Sequence, residues 1–226
     1  MIQITQKSVN SDSGDEIQAL HREYQDKKCV RLPNLIEASL LSQFVHRLKS
    51  TGFRPKTEGE PGDEFGRVLF VPNTEPALFL FQLMMNNPEL FRIIQEITGC
   101  PTIGNFFGRI HRSSPGPEHQ ISWHGDNADH RLVGLSVNLS DDTFSGGLFQ
   151  IRDRKSERIL CEISNTGLGD AFLFGIDPDL QHRLQPVFTG GDRTVGVGWF
   201  RSHPNRAVFA REFFVSRFLP AGHEIR

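Results

Sequence analysis

The change in sequence pattern after Pro101 is the feature that most limits the fold. From there to about Phe200, short segments in which apolar and polar residues alternate are separated by Gly, Pro, Asn and Asp. Alternation with a period of two is typical of half-buried strands, and the separating residues are typical of turns. This region is therefore predicted to be all-β. Its candidate strands are 103–112, 132–139, 147–152, 158–164, 171–174, 184–188 and 193–200.

The residues before Pro101 carry apolar side chains at helical spacing instead. A period of about 3.6 residues predicts helices that bury one face. A short strand that ends at a proline is predicted at 29–33. The predicted helices are 17–24, 37–49, 75–86 and 89–98.

Two polar stretches interrupt this pattern. Residues 1–14 are rich in Ser, Asp and Gly and are predicted to form a loose arm. The stretch 54–66 is rich in Pro, Gly, Glu and Lys and is predicted to be an exposed loop. Its charges Lys56, Glu58 and Glu60 are interpreted as a solvated face, although such a loop could also cover a pocket.

Helices followed by seven or eight short strands predict an α+β, mainly β, chain. The economical architecture is a double-stranded β-helix (jelly roll) core buttressed by N-terminal helices. The length of 226 residues suits a single domain. Its predicted parts are the arm 1–14, the helical buttress 15–100, the jelly-roll core 101–201 and the C-terminal extension 202–226.

The composition excludes several classes of protein. A net charge of −2 gives no sign of a nucleic-acid partner, and no apolar run is long enough for a membrane span or signal peptide. Cys29, Cys100 and Cys161 are odd in number and far apart, which argues against a disulfide framework or a thiolate zinc site. A reducing, cytoplasmic location is therefore expected.

His124, Asp126 and His182 form the candidate metal site. A His-x-Asp pair alone has little weight in a chain with nine histidines. On an extended segment, however, residues two apart share a face, and a second histidine completes two imidazoles and a carboxylate. This is the ligand set of non-haem Fe(II) oxygenases. The nearby His111, His119 and His130 are interpreted as surface or hydrogen-bonded histidines.

The TGGD sequence at 189–192 predicts a hairpin that would pair Phe188 with Arg193 and His182 with Trp199. Because alternate side chains share a face, an inward His182 would carry Arg193 inward too. A metal-chelated 2-oxo diacid would present its distal carboxylate to that guanidinium. A structural ion pair with Asp or Glu is the alternative.

Residues 113–201 resemble the Fe(II)/2-oxoglutarate (2OG) dioxygenase superfamily, and within it the prolyl-hydroxylase-like branch. The matching strings are HGDNADHRLVGLSVNLSDDTFSGGLFQIRD, GDAFLFG and QHRLQPVFTGGDRTVGVGWF. The resemblance implies that His124, Asp126 and His182 bind iron and that Arg193 binds the distal carboxylate of 2OG. It also implies a reaction with O2 that hydroxylates an unactivated C–H bond and releases succinate and CO2.

The chain departs from that branch at the cosubstrate. Tyrosines that commonly touch 2OG in the branch are missing, and their positions hold Ser113 or Ser114 and Asn138. Asn138 is a candidate hydrogen-bond donor to 2OG or, alternatively, a polar residue on a strand face. Arg109 and Arg131 are candidates for binding a substrate carboxylate, and each is equally well explained as a surface charge.

The substrate class is open at this point. The compact size and the lack of a peptide-binding module favour an amino acid or other small molecule, and a protein or peptide side chain such as proline is the alternative. Asp126 argues against a halogenase, because related halogenases lack this carboxylate. With Zn(II) or another divalent ion, the same barrel could be a cupin-like hydrolase, isomerase or binding module. No sequence feature fixes the oligomeric state.

Overall fold

The computed structural model describes residues 1–11, 14–128, 130–164 and 167–203. The helices are α1 (Gly14–Lys27), α2 (Ala38–Lys49), α3 (Pro76–Met85) and α4 (Pro88–Thr98). The strands before α4 are β1 (Gln3–Ile4), β2 (Val9–Asn10), β3 (Cys29–Leu32), β4 (Arg54–Glu60) and β5 (Asp63–Phe70). Those after it are β6 (Asn105–Ser113), β7 (Ile121–His124), β8 (Arg131–Asn138), β9 (Phe144–Gly146), β10 (Phe149–Asp153), β11 (Ile159–Ile163), β12 (Ala171–Gly175), β13 (Leu180–Leu184), β14 (Val187–Gly190) and β15 (Arg193–Arg201).

Most of these strands form one antiparallel ladder. Their order is β11-β10-β13-β7-β5-β6-β15-β8-β12-β3, with β4 paired to β5. The ladder folds into a nearly closed barrel, and β1-β2 and β14-β9 form two small separate sheets. The predicted class, a mainly β jelly roll with N-terminal helices, is confirmed. Within the described ranges, no helix is both long and apolar enough to span a membrane.

Local sequence signals explain the helices, as α4 shows. The side chain of Asn87 accepts hydrogen bonds from the backbone N–H groups of Glu89 and Leu90, and Pro88 opens the helix. Gly99 ends it in the left-handed region, with φ of 72°. The buried face then consists of Leu90, Ile93, Ile94, Ile97 and Thr98. All four predicted helices and the strand at 29–33 are confirmed.

Two apolar cores lie on either side of the ladder. The larger joins the helices to the outer face of the sheet, and the Phe81 and Phe106 rings meet edge to face there, 5.8 Å apart. The smaller is built from Phe149, Phe172, Phe174 and their neighbours and lies beside the ring of His182. Burying such a side chain contributes about 1.5–3 kcal/mol, so the interior of the barrel is held firmly beneath the site.

The predicted loose arm is wrong for the described residues 1–11. Ile2, Ile4 and Val9 are buried, and the Ile4 backbone N–H donates to the Leu35 carbonyl at 2.7 Å. The strands β1 and β2 pair with each other. The polar composition of this stretch hid three apolar side chains that cover the edge of the core.

The loop predicted at 54–66 is instead a pair of strands, although most of its described residues are exposed as predicted. β4 and β5 form an antiparallel hairpin, in which Lys56 pairs with Val68. Glu58 is only 8% exposed. Its burial is possible because Lys56 and Arg109 both form hydrogen bonds with its carboxylate. The interpretation as a solvated face is therefore corrected for Lys56 and Glu58, whereas the side chain of Glu60 lies outside what the structure describes.

The predicted hairpin at 189–192 does not form. β14 pairs with β9, whereas β15 pairs with β6 and β8. His182 lies opposite His124 and Ile151 rather than opposite Trp199. Arg193 nevertheless points inward, because its own strand alternates between the core and the barrel interior. The predicted segment 184–188 is divided between the end of β13 and the start of β14.

Gly134 is a sensitive point of this packing. A Cβ atom there would lie 2.0 Å from the ring of Phe174, which itself contacts His182. We expect Gly134→Ala to lower the free energy of unfolding by about 1–3 kcal/mol, because the ring has to move within a filled core. Urea denaturation measures this. Gly52→Ala is the control, since its Cβ would meet no atom within 4 Å, and equal effects of the two changes would contradict this account.

Candidate active site

Strand pairing brings the two candidate histidine ligands together. His124 ends β7 directly opposite His182 on β13, and their rings lie 4.2 Å apart. Asp126 follows two residues after His124. One potential ligand atom from each of the three residues lies within 4.8 Å of the others. The sequence motif therefore becomes a compact donor set, and all three members line one cavity.

Hydrogen bonding fixes the form of the His124 ring. Its Nδ1 lies 2.8 Å from the Ser122 carbonyl oxygen, which can only accept, so Nδ1 carries the proton. This leaves the lone pair of Nε2 for a metal. Burial and the neighbouring His182 lower the pKa of His124 to about 4, which keeps the ring neutral. Phe65 stacks on it at 4.2 Å and covers one face.

Asp126 is held by two donors. Its Oδ1 accepts from Arg131 at 2.9 Å, and its Oδ2 accepts from Trp199 Nε1 at 2.6 Å. Burial opposes ionisation of this carboxyl, but His182, His124 and Arg131 outweigh it and hold its pKa well below the ordinary value. The Arg131 guanidinium also lies 3.8 Å from the centre of the Trp199 ring. The carboxylate is thus charged and oriented.

Arg193 lies in the same cavity without a counter-charge. Its side chain is buried, and Nε has no hydrogen-bond partner. The described residues give it no ion pair, so the alternative of a structural salt bridge is not observed. Burial lowers the pKa of Arg193 to about 10, which leaves it charged at neutral pH. Gly147 makes room for it, since a Cβ there would lie 2.7 Å from Arg193 Cδ.

The cavity measures about 540 Å³. It contains the three candidate ligands, Arg193 and both candidate substrate residues, Arg109 and Arg131. Phe149 and Phe174 form part of its apolar wall. The cavity is therefore large enough for a small ligand beside a metal.

Known structures with this fold were found at low sequence identity. An oxidoreductase of the 2OG-Fe(II) oxygenase family from Burkholderia pseudomallei is 16% identical, with a TM-score of 0.62 over 90% of this chain and 97% of that one. The chain has the fold of the 2OG-Fe(II) oxygenases. No protein-family model and no curated protein sequence matches it.

Two further structures with the oxygenase fold differ in what they bind. A prolyl hydroxylase from Trichoplax adhaerens, in complex with a hypoxia-inducible-factor peptide, is 15% identical, with a TM-score of 0.60 over 88% of this chain and 97% of that one. The epimerase SnoN, in complex with Fe3+, alpha-ketoglutarate and nogalamycin RO, is 11% identical, with a TM-score of 0.60 over 94% and 93%. One fold thus accepts peptides and small molecules.

Asn138 was predicted to be a site residue, but its side chain does not line the cavity. Its side chain is fully buried outside the cavity, where Nδ2 donates to the Gly167 carbonyl and Oδ1 accepts from the Ser140 N–H. Its predicted contact with 2OG is therefore corrected to a structural role. Ser113 does line the cavity and pairs with Arg193 across β6 and β15, whereas Ser114 does not line it.

Several cavity residues were missed by sequence reasoning. Lys56, Glu58 and Phe65 belong to the β4–β5 hairpin, in a stretch that the sequence predicted as a loop with the covering of a pocket as its alternative role. His111 is buried rather than at the surface, and its Nε2 lies 3.5 Å from Glu58 Oε1 without forming a hydrogen bond. The spacing along β6 could have predicted that His111 lines the cavity. Arg109, His111 and Ser113 are two residues apart and therefore lie on one face of the strand. His119 fits its prediction, because its Nδ1 accepts from the Ser114 N–H.

Trp199 should support metal binding through Asp126. We expect Trp199→Phe to weaken the binding of Mn(II) by about 10- to 100-fold, because the carboxylate loses the donor that orients it. Calorimetric titration measures the affinity. Trp123→Phe is the matched control, since that indole stacks with Arg152 and Arg183 instead. An equal loss in both variants would contradict a specific role for Trp199.

His111 should make stability depend on pH. Burial lowers the pKa of His111 to about 3, whereas an unfolded histidine has a pKa of about 6.5. Between these two pKa values, His111 is protonated in the unfolded chain but neutral in the folded chain. The free energy of unfolding therefore falls as the pH drops from about 6.5 towards 3. When the pH is lowered from 7 to 4.5, the free energy of unfolding should fall in both proteins. The fall should be smaller in His111→Gln than in wild type, by up to about 2–3 kcal/mol.

Chemical denaturation at the two pH values gives this difference. His130→Gln is the control, because that side chain is exposed, and it should behave like wild type. Identical pH dependence in wild type and His111→Gln would show that His111 takes up its proton in the folded state.

Proposed function

We propose that the protein is an Fe(II)- and 2OG-dependent dioxygenase that hydroxylates a C–H bond of a small molecule or amino acid and releases succinate and CO2. One observation carries the proposal. A compact His-Asp-His donor set shares a cavity with a buried arginine that has no counter-charge among the described residues.

The donor set suits Fe(II). His124 and His182 offer imidazole nitrogens and Asp126 offers a charged oxygen, and two imidazoles with one carboxylate leave further coordination positions free. When bound, Fe(II) together with 2OG and O2 supplies the oxidising chemistry. Trp199 and Arg131 orient the carboxylate ligand, and Phe65 keeps water from one face of His124.

Arg193 is suited to the distal carboxylate of 2OG. A guanidinium fork pairs well with a planar carboxylate, and the pair gains strength where water is excluded. Ser113, on the neighbouring strand position, supplies a hydroxyl in place of the missing tyrosine. In a cupin-like zinc protein that binds no 2OG, a buried arginine without an ion-pair partner would be destabilising and would serve no function. The burial of Arg193 therefore favours the oxygenase over that alternative.

A small molecule or amino acid is the first choice of substrate. The cavity of about 540 Å³ also has to accept 2OG, which leaves limited room. SnoN was solved with nogalamycin RO, and the Trichoplax adhaerens enzyme with a peptide, so hydroxylation of a protein or peptide side chain, such as proline, is the alternative. The proposal keeps a cytoplasmic location, with neither nucleic acid nor a membrane as partner.

The cofactors can be tested without knowing the substrate. Under anaerobic conditions, addition of Fe(II) and 2OG should produce a visible charge-transfer band, and admission of O2 should yield succinate. Zn(II) in place of Fe(II) should give neither. A protein that binds Fe(II) but shows no band and forms no succinate would be a metalloprotein of another class.

Arg193→Gln should weaken 2OG binding by at least about 30-fold, or ~2 kcal/mol, because a buried carboxylate would lose its charged partner. Titration of 2OG into the anaerobic Fe(II) protein measures the dissociation constant. Arg112→Gln is the control, since that guanidinium packs on Phe53 outside the cavity. An unchanged dissociation constant in Arg193→Gln would refute the assignment.

A further inference from the structure

The charge of the cavity limits what can bind in it. Its described lining contains five basic side chains and three carboxylates, an excess of two positive charges. The basic ones are Lys56, Arg109, Arg131, Arg183 and Arg193, and the acidic ones are Glu58, Asp63 and Asp126. Because the charges of Fe(II) and 2OG cancel, the excess persists in the loaded site. Uncompensated charge is costly in a partly dry cavity, so an anionic substrate is favoured.

Glu58 is the carboxylate nearest to the candidate substrate residue Arg109. Lys56 Nζ donates to both Glu58 oxygens, at 3.0 and 3.1 Å, whereas Arg109 donates to one of them at 3.2 Å. Burial opposes ionisation of Glu58, but His111, Arg109 and Lys56 together hold its pKa below the ordinary value. The single negative charge of Glu58 is therefore shared between two cations, and it cannot neutralise both Lys56 and Arg109.

The hydrogen-bonding capacity of Arg109 is largely unused. A guanidinium has five N–H donors, and only the bond to Glu58 engages one of them among the described residues. The side chain is 30% exposed, on the cavity wall. Its guanidinium lies 5.4 Å from the Trp199 ring, whose N–H donates to Asp126. An anion bound to Arg109 would thus be only one side chain away from the candidate metal ligands.

Arg131 is less suitable for this role. It donates to Asp126 and lies against the face of Trp199, so its guanidinium is already used to hold a metal ligand. Arg193 is buried and, in the proposed function, binds 2OG.

Arg183 lies over the ring of Trp123 and donates to the neutral side chain of Gln150. Arg109 is the cavity arginine that is held by the carboxylate of Glu58 and still has most of its donors unused.

We propose that the substrate carries a carboxylate that binds to Arg109, with Glu58 and Lys56 holding the guanidinium in place. This rests on the proposed function, because it assumes that 2OG occupies Arg193. The fork geometry of the guanidinium matches a planar carboxylate, and the charge of one carboxylate offsets one of the two excess positive charges. The substrates to seek are carboxylic acids, above all those without an ammonium group, such as N-acetyl amino acids and aryl or alkyl acids.

The experiment compares matched acids and primary amides. A panel of amino acids, N-acetyl amino acids and aryl and alkyl acids, each with its amide, is added to protein loaded anaerobically with Fe(II) and 2OG. Perturbation of the charge-transfer band reports binding, and succinate formation after admission of O2 reports turnover. We expect acids to be preferred over their amides by at least tenfold. Arg109→Gln should abolish this preference without changing the dissociation constant of 2OG.

Two further variants separate recognition from misfolding. Arg109→Lys keeps the charge but loses the fork, and should retain part of the preference. Arg112→Gln changes an arginine on the other face of the same strand and should retain all of it. An acid preference that survives in Arg109→Gln overturns the inference, as does wild type that binds amides as well as acids or binds no acid. The proposed function fails separately, through the absence of the band with Fe(II) and 2OG alone.

Discussion

The pairing of β7 with β13 is the constraint on which the site depends. It places His124 opposite His182, so that two imidazoles separated by 57 residues of sequence share one end of the barrel. Asp126 then needs only one intervening residue, Gly125, to reach the same point. The remaining cavity residues come from neighbouring strands of the same ladder. A one-residue slip of this pairing would turn His182 away from the cavity, because successive side chains on a strand face opposite sides.

The site could be predicted from the sequence to the extent that parity alone decides it. His124 and Asp126 are two apart, and Arg193 lies on a strand whose alternate residues Val195, Val197 and Trp199 also line the cavity. Parity within a strand is independent of its partner. The inward side of that face, however, was predicted from a hairpin that does not exist, and it is fixed instead by the pairing of β15 with β6 and β8.

Two features could not be predicted from the local sequence: which strands pair with each other, and which charged side chains are buried. A TGGD turn is consistent with a hairpin, but β15 pairs with β6 and β8 because the barrel closes through strands distant in sequence. Similarly, the composition of 54–66 predicts exposure unless the neutralising partner is known. For Glu58 that partner includes Arg109, which lies on a different strand. Asn138 shows the reverse, since its polar side chain is satisfied by the carbonyl of Gly167 and the N–H of Ser140, both outside the cavity.

The β4–β5 hairpin contacts two parts of the cavity, the candidate metal ligand His124 and the candidate substrate residue Arg109. Phe65, on β5, stacks on His124, while Glu58, on β4, holds Arg109. Both contacts depend on the same two-stranded element, so its position affects His124 and Arg109 together. Gly59 adopts a φ of 106° at the bulge between them, and a side chain there would meet the Asp63 carbonyl at 2.4 Å. The backbone of the hairpin therefore positions two side chains at once, Phe65 against His124 and Glu58 against Arg109.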